Sequence, residues 1–124
     1  MIKCKSIYAK PTPEDGFRVL VDPLWPEGLS TRAAAVDWWA RELAPSYELW
    51  RYAYDRDHWD KYRENYRREL AHRDKQAFLN QLRQRADSQM LTLVYGTDDP
   101  KRNNAMILRE YLEKEMSSSR AKVS

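Results

Sequence analysis

Residues Phe17 to Ser30 read FRVLVDPLWPEGLS, and the division of this stretch decides the fold. Phe17 to Val21 is a short, largely apolar run with β-branched members, which predicts a buried strand. The run stops at Asp22-Pro23. Proline lacks a ladder donor and pushes the residue before it out of the helical region. Trp25, Pro26, Gly28 and Ser30 then form a loop, and a helical pattern follows. A strand that ends in a carboxylate, then a stiff aromatic loop, then a helix is how open α/β sheets build ligand crevices.

Working outward, Ile2 to Tyr8 alternates apolar and polar residues and predicts a first strand. Lys10 to Gly16 is rich in Pro, Asp and Gly and marks a turn. Thr31 is a candidate N-cap for a helix from Arg32 to about Leu43, with Ala35, Trp38, Trp39 and Leu43 on one face. Pro45 ends it. Ser46 opens a short helix whose inward side is Leu49, Trp50 and Ala53. Asp57 starts a longer helix to about His72, with Trp59, Tyr62, Tyr66 and Leu70 as an apolar stripe. Core packing is the favoured reading of that stripe over a base-stacking surface. Asp74 starts another helix to about Arg85, with Phe78, Leu79 and Leu82 inward. Met90 to Tyr95 is the clearest strand, and its continuous apolar character suggests burial on both faces. Gly96 to Pro100 is a loop. A last helix is expected from about Arg102 to Glu115, carrying Ala105, Leu108 and Leu112. Residues 2–116 are therefore expected to be one domain, with a flexible polar tail over 117–124.

The chain has 124 residues, enough for one domain with its own core. A single cysteine, Cys4, excludes an internal disulfide and any multi-cysteine metal site. Set within a strand, it is expected to be buried and inert. His58 and His72 lack companions at metal-ligand spacing. No P-loop, dinucleotide fingerprint or zinc pattern is present, so no cofactor and no metal site is expected. Nor is there a signal-peptide pattern or a long apolar run, so a cytoplasmic protein without a membrane span is expected. With 22 basic and 19 acidic side chains, the net charge of +3 is too small to argue strongly for nucleic acid. Five Trp and eight Tyr against two Phe is a bias toward aromatics with a polar handle, which suit crevices and interfaces as well as cores.

The fold expected is thus α/β: a single small domain with a sheet of at least three mostly parallel strands flanked by helices. The chemistry-bearing residues fall in the two loops that follow the two best strands. The first loop offers Asp22, Trp25, Glu27, Gly28 and Ser30. The second region offers Tyr95, Thr97, Asp98, Asp99, Asn103 and Asn104. Parallel neighbouring strands would open both loops on one edge of the sheet, with the last helix pointing its free N–H groups there.

At these residues the chain resembles the family known as domain of unknown function 488, in its short YeaO-like branch. The family pattern is matched by Gly16, Leu20-Val21-Asp22, Leu24-Trp25-Pro26 and Gly28. It continues through Ala44-Pro45-Ser46, Glu48-Leu49, Tyr66, Glu69-Leu70, Thr92-Leu93, Tyr95, Asp99 and Asn103-Asn104-Ala105. The resemblance spans residues 2–113 and implies a compact α/β domain; it carries no established reaction. Four positions depart from it. Where the family pattern has basic residues, this chain has Pro23, Glu27, Trp50 and Asp98. Bringing an anion within about 4 Å of one carboxylate costs roughly 1 kcal/mol in water and several in a protein-like dielectric. An anion site of the family is therefore not expected to persist.

Two functions are compatible with this reading. One is a small-ligand-binding or enzymatic domain with an acidic crevice between the two loops, walled by Trp25, and suited to a cationic or polar ligand or a loosely held Mg²⁺. The other is a non-enzymatic module that docks a protein or, less readily, a nucleic acid. Its surface would be Trp50, Tyr52, Tyr54 and Trp59 beside Arg51, Arg56 and Arg63.

Overall fold

The computed structural model describes residues 1–52 and 55–123, with side chains as far as 117. The apolar run near the C-terminus forms strand β4 (Leu91–Tyr95), and all five of its residues are buried. That burial follows from its place between two other strands. The sheet order is β1-β4-β2-β3, with β1 at Ile2–Ser6, β2 at Phe17–Leu20 and β3 at Trp38–Trp39. All three pairings are parallel, with Cys4 and Val19 both opposite Leu93. This is a single small α/β domain.

The helices are α1 (Thr31–Ala34), α2 (Tyr47–Trp50), α3 (Trp59–Leu70), α4 (Gln76–Ser88) and α5 (Asn104–Val123). Three long helices, α3, α4 and α5, cover one face of the sheet. Their inward residues Tyr62, Tyr66, Leu70, Leu79, Leu82, Leu108 and Leu112 meet Ile2, Val19, Leu91 and Leu93 in the main core. The α3 stripe is therefore core, with Trp59 stacked on Tyr62 at its partly buried end. The other face is covered by loops and by α1, around Ile7, Leu20, Ala34 and Val94. Helices thus flank the sheet unequally.

Asp57 and Asp74, expected to start helices, fall instead inside 3₁₀ turns at Arg56–His58 and Arg73–Lys75 that precede α3 and α4. Two further boundaries differ more widely from the sequence reading. The expected helix from Arg32 to Leu43 is one turn of helix, then edge strand β3, then a 3₁₀ turn at Arg41–Leu43. Ser30, not Thr31, is the N-cap, and Ala35 ends α1 in the left-handed region at φ 49°. Asp37 then locks the chain onto the sheet. Its carboxylate accepts from Arg18 N–H at 2.8 Å, and its own N–H donates to Arg18 C=O at 2.9 Å. The two tryptophans suit a pleated strand better than a helix interior, and their helical spacing is coincidental. The second difference is α5, which continues past Glu115 to Val123. Ala53, assigned to the inward side of α2, lies outside the described residues, as does Tyr54.

Under the loop-covered face sits a charge cluster that the strand pattern conceals. Asp15 is fully buried. It pairs with Lys3 at 2.9 Å, Lys5 at 3.0 Å and Arg18 at 2.7 Å. Lys3 and Lys5 alternate with Ile2 and Cys4, so one side of β1 is apolar and the other is cationic. Burial alone would raise the Asp15 carboxyl. The Lys3 and Lys5 ammonium groups, Thr12 N–H and Arg18 more than reverse that and hold it well below the usual carboxylate range.

Two predictions follow from this packing. A Cβ on Gly16, which sits at φ +62°, would lie 2.2 Å from Met90 O, whereas one on Gly28, at φ +75°, would meet open space. Gly16→Ala is therefore expected to lower the urea midpoint more than Gly28→Ala, whose cost of about 1 kcal/mol comes from backbone strain alone. Asp15→Asn leaves three cations without their counter-charge and is expected to cost about 3 kcal/mol. Because the folded Asp15 value is depressed, its stabilisation is complete above the unfolded value of about 3.9 and is lost as pH falls toward the folded one. Acid unfolding of the wild type should show this loss, and Asp15→Asn should not.

Candidate functional site

β2 and β4 are parallel neighbours, so the loops after them leave the same edge of the sheet. Asp22 is 7% exposed there and Asn104, at the start of α5, 2%. Asp22 Oδ2 accepts from Gly96 N–H at 2.8 Å, and Oδ1 accepts from Asn104 Nδ2 at 2.9 Å. Asn104 Oδ1 in turn accepts from the Tyr62 hydroxyl at 2.6 Å. The Asp22 carbonyl accepts from Trp39 Nε1 at 2.8 Å. One aspartate thus links the ends of β2 and β4, the edge strand, α5 and α3. A Cβ on Gly96 would stand 3.2 Å from Asp22 Oδ2, so glycine there permits the close approach. Burial pushes the Asp22 carboxyl above its ordinary value, and the Gly96 and Asn104 donors only partly reverse this.

The second acidic group has a different task. Asp99 Oδ1 accepts from the N–H groups of Lys101 at 2.9 Å and Arg102 at 3.1 Å. Its carbonyl accepts from Asn103 Nδ2 at 2.9 Å, and Asn103 Oδ1 caps α5 by accepting from Met106 N–H at 2.9 Å. Its Oδ2 lies 3.8 Å from Arg56 and 3.5 Å from Arg102. The Lys101 N–H, then Arg102 and Arg56, hold the Asp99 carboxyl below its ordinary range against partial desolvation. The structure therefore brings Asp22, Asp99, Asn103 and Asn104 to one edge of the sheet, and all four are engaged by the protein's own groups.

The remaining candidates divide. Trp25 packs edge-on to Trp39 with ring centroids 5.4 Å apart, and its Nε1 donates to Leu29 C=O. Ser30 Oγ caps α1. Glu27, Gly28 and Asp98 are exposed, and the Glu27 carbonyl accepts from the Tyr8 hydroxyl at 2.9 Å. Tyr95 is buried, and burial, with Cys4 and Asp99 nearby, pushes its phenol up. Thr97 Oγ1 is buried and has no hydrogen-bond partner among the described residues. Among the described residues no group of three or more His, Cys, Asp or Glu could hold a metal ion, so the Mg²⁺ expectation gains no ligand set. Cys4, expected to be buried, is half-buried, and its thiol is raised to about 11, chiefly by burial. Sequence reasoning missed Tyr62, which sat in the apolar stripe as a core residue; its hydroxyl was the available signal.

The aromatic surface around α2 is more open. Tyr47 is 60% and Tyr52 49% exposed. Trp50 is half-buried and edge-on to Tyr47, and the Arg51 guanidinium lies over the Tyr52 ring at 4.9 Å. Trp59 belongs to the core margin, Arg63 pairs with Glu110 at 2.8 Å, and Arg56 faces Asp99.

Residues 1–124 match the family model described as the inactive DUF488-N3 subclade. The chain belongs to the DUF488 family. This DUF488 domain is 37% identical to the uncharacterized protein YeaO of Escherichia coli, over 90% of the chain and 96% of that protein. It is 32% identical to uncharacterized proteins of Mycobacterium bovis and Mycobacterium tuberculosis, over 90% of the chain and 92% of each. No solved structure matches it. Among the described residues, no helix of this DUF488 domain is long and apolar enough to cross a membrane.

Both oxygens of Asp22 accept from N–H donors, so Asp22→Asn turns one of these contacts into donor against donor. A loss of about 1–3 kcal/mol in urea unfolding is expected. In the wild type, a carbon-13 NMR titration should place the Asp22 midpoint above the ordinary carboxylate value of about 3.9. The sign follows from linkage: the folded state binds this proton more readily, so the cost of keeping Asp22 ionised shrinks as pH falls through the folded value. A midpoint at or below 3.9 would contradict the burial argument.

Proposed function

We propose that this chain is a non-enzymatic interaction module, a degenerate member of its family whose strand-end rim serves structure and whose working surface is the α2 face. One observation carries the reading. The carboxylate best placed for chemistry, Asp22, has both oxygens held by Gly96 and Asn104, and Asn104 is itself held by Tyr62. A general base needs a lone pair free to reach substrate, and here each oxygen already accepts one internal N–H on a residue only 7% exposed. The description of the matching subclade as inactive points the same way. So does the loss of basic residues at the rim, where Pro23, Glu27 and Asp98 stand.

The α2 face has the opposite character. Tyr47 and Tyr52 are exposed beside the half-buried Trp50. Tyrosine and tryptophan are enriched where proteins meet, because they offer large contact area with a polar tip. The net charge of +3 gives nucleic acid little purchase.

Amide NMR with a small-molecule fragment library separates the two surfaces. Shift changes are expected to gather on residues 46–52 and to leave Gly96 and Asn104 unmoved. Changes centred on Gly96 and Asn104, with α2 silent, would return the function to the rim.

A further inference from the structure

Two cavities lie side by side on the α2 face, one of about 690 Å³ and one of about 460 Å³. Both are bordered by Ser46 and Glu69. These two residues form the saddle between them: the Glu69 carboxylate accepts from Ser46 N–H at 2.8 Å and from Ser46 Oγ at 2.6 Å. Ser46 Oγ also caps α2. The saddle is therefore held from within and separates two differently charged basins.

The larger basin has Leu49, Tyr52 and Tyr62 as its apolar and aromatic wall, with Glu48 and Asp55 as carboxylates besides Glu69. Lys61 and His58 also border it, and His58 Nδ1 is 2.7 Å from Asp55 Oδ2. Carboxylates outnumber permanent cations there. The smaller basin is lined by Pro23, Arg41, Pro45, Tyr47, His72 and Lys75. Arg41 is steadied over the Trp39 ring at 4.5 Å, and Lys75 Nζ donates to Glu42 C=O at 2.7 Å. Cations dominate this end. Tyr47 borders one basin and Tyr52 the other, and both are exposed.

We infer that this double basin binds an extended peptide segment of a partner protein, with a basic side chain in the Glu48–Asp55 basin and an acidic one in the Arg41–Lys75 basin. Charge complementarity fixes the polarity of the segment, because like charges placed face to face are rejected. The extent of the groove favours a peptide over a small molecule. A single small-ligand pocket spans about 300–1,000 Å³, and here two such volumes adjoin across a saddle with tyrosines at both rims. The inference rests on the reading of α2 as the working surface and adds the class and direction of what binds.

The test starts from a phage-displayed library of random 12-residue peptides panned against the full chain. Enriched sequences should carry Lys or Arg toward one end and Asp or Glu toward the other. A synthetic peptide of the enriched sequence, followed by fluorescence anisotropy, should bind about tenfold more weakly to Glu48→Lys and to Lys75→Glu. Both side chains are at the surface, and circular dichroism confirms that the variants are folded. A peptide with its charged ends exchanged should prefer the double variant. No enrichment, enrichment without charge separation, or binding unmoved by both reversals would overturn the inference. So would equal occupancy of the basins by free lysine and free glutamate, which would make the ligand a small molecule. Amide shifts separate this failure from failure of the broader reading. Peptides that move residues 46–52 without charge dependence sink only the inference. Peptides that move Gly96 and Asn104 instead sink the α2 surface itself.

Discussion

The Asp22 carboxylate is the joint of this structure. It ends one central strand and holds the backbone of the loop that ends the other. Through Asn104 it fixes the start of α5, and through Tyr62 it reaches α3. A buried carboxylate is tolerated when donors meet it, and two N–H groups do so here. Low local dielectric strengthens such a network and makes each of its members costly to lose. The same bonds occupy one acceptor position on each Asp22 oxygen.

Charge is arranged with similar economy on the far side of the sheet. Asp15 gathers Lys3, Lys5 and Arg18 beneath a covering of loops where α/β proteins usually place a helix. The two buried aspartates respond to acid in opposite senses. Asp15 is held ionised by cations, while Asp22 has only neutral donors to offset its burial. Protonation of Asp15 is therefore expected to destabilise the fold at low pH, because it leaves three cations facing one another.

Much of this was legible in the residues. An apolar run without alternation marked Met90–Tyr95 as a strand buried on both faces, and a strand-terminal Asp-Pro placed Asp22 at the end of another; the strand order was not readable. That the two loops meet followed from parallel neighbours. What the loops do when they meet was not legible, because a carboxylate beside an amide reads the same whether it faces a ligand or its own chain. Trp38 and Trp39 misled by falling at helical spacing; the left-handed turn at Ala35 and the Asp37 contacts to Arg18 are tertiary facts. Arg18 within an apolar strand, with Lys3 and Lys5 two apart, was a visible signal of the buried charge cluster that strand periodicity alone overlooks. The basins around Ser46 and Glu69 join residues 23 apart, and no local pattern announces them.

Under the proposed function, a rim engaged by its own groups and the exposed Tyr47 and Tyr52 on and just after α2 suit docking. That view depends on Asp22 and Asn104 acting on each other rather than awaiting a third molecule. A double-mutant cycle on Asp22→Ala and Asn104→Ala, read by urea unfolding without added ligand, measures this directly. A coupling of about 1–3 kcal/mol is expected for a buried hydrogen bond to a charged group. Additive losses, with no coupling between the two sites, would mean that the clasp does not hold the fold together.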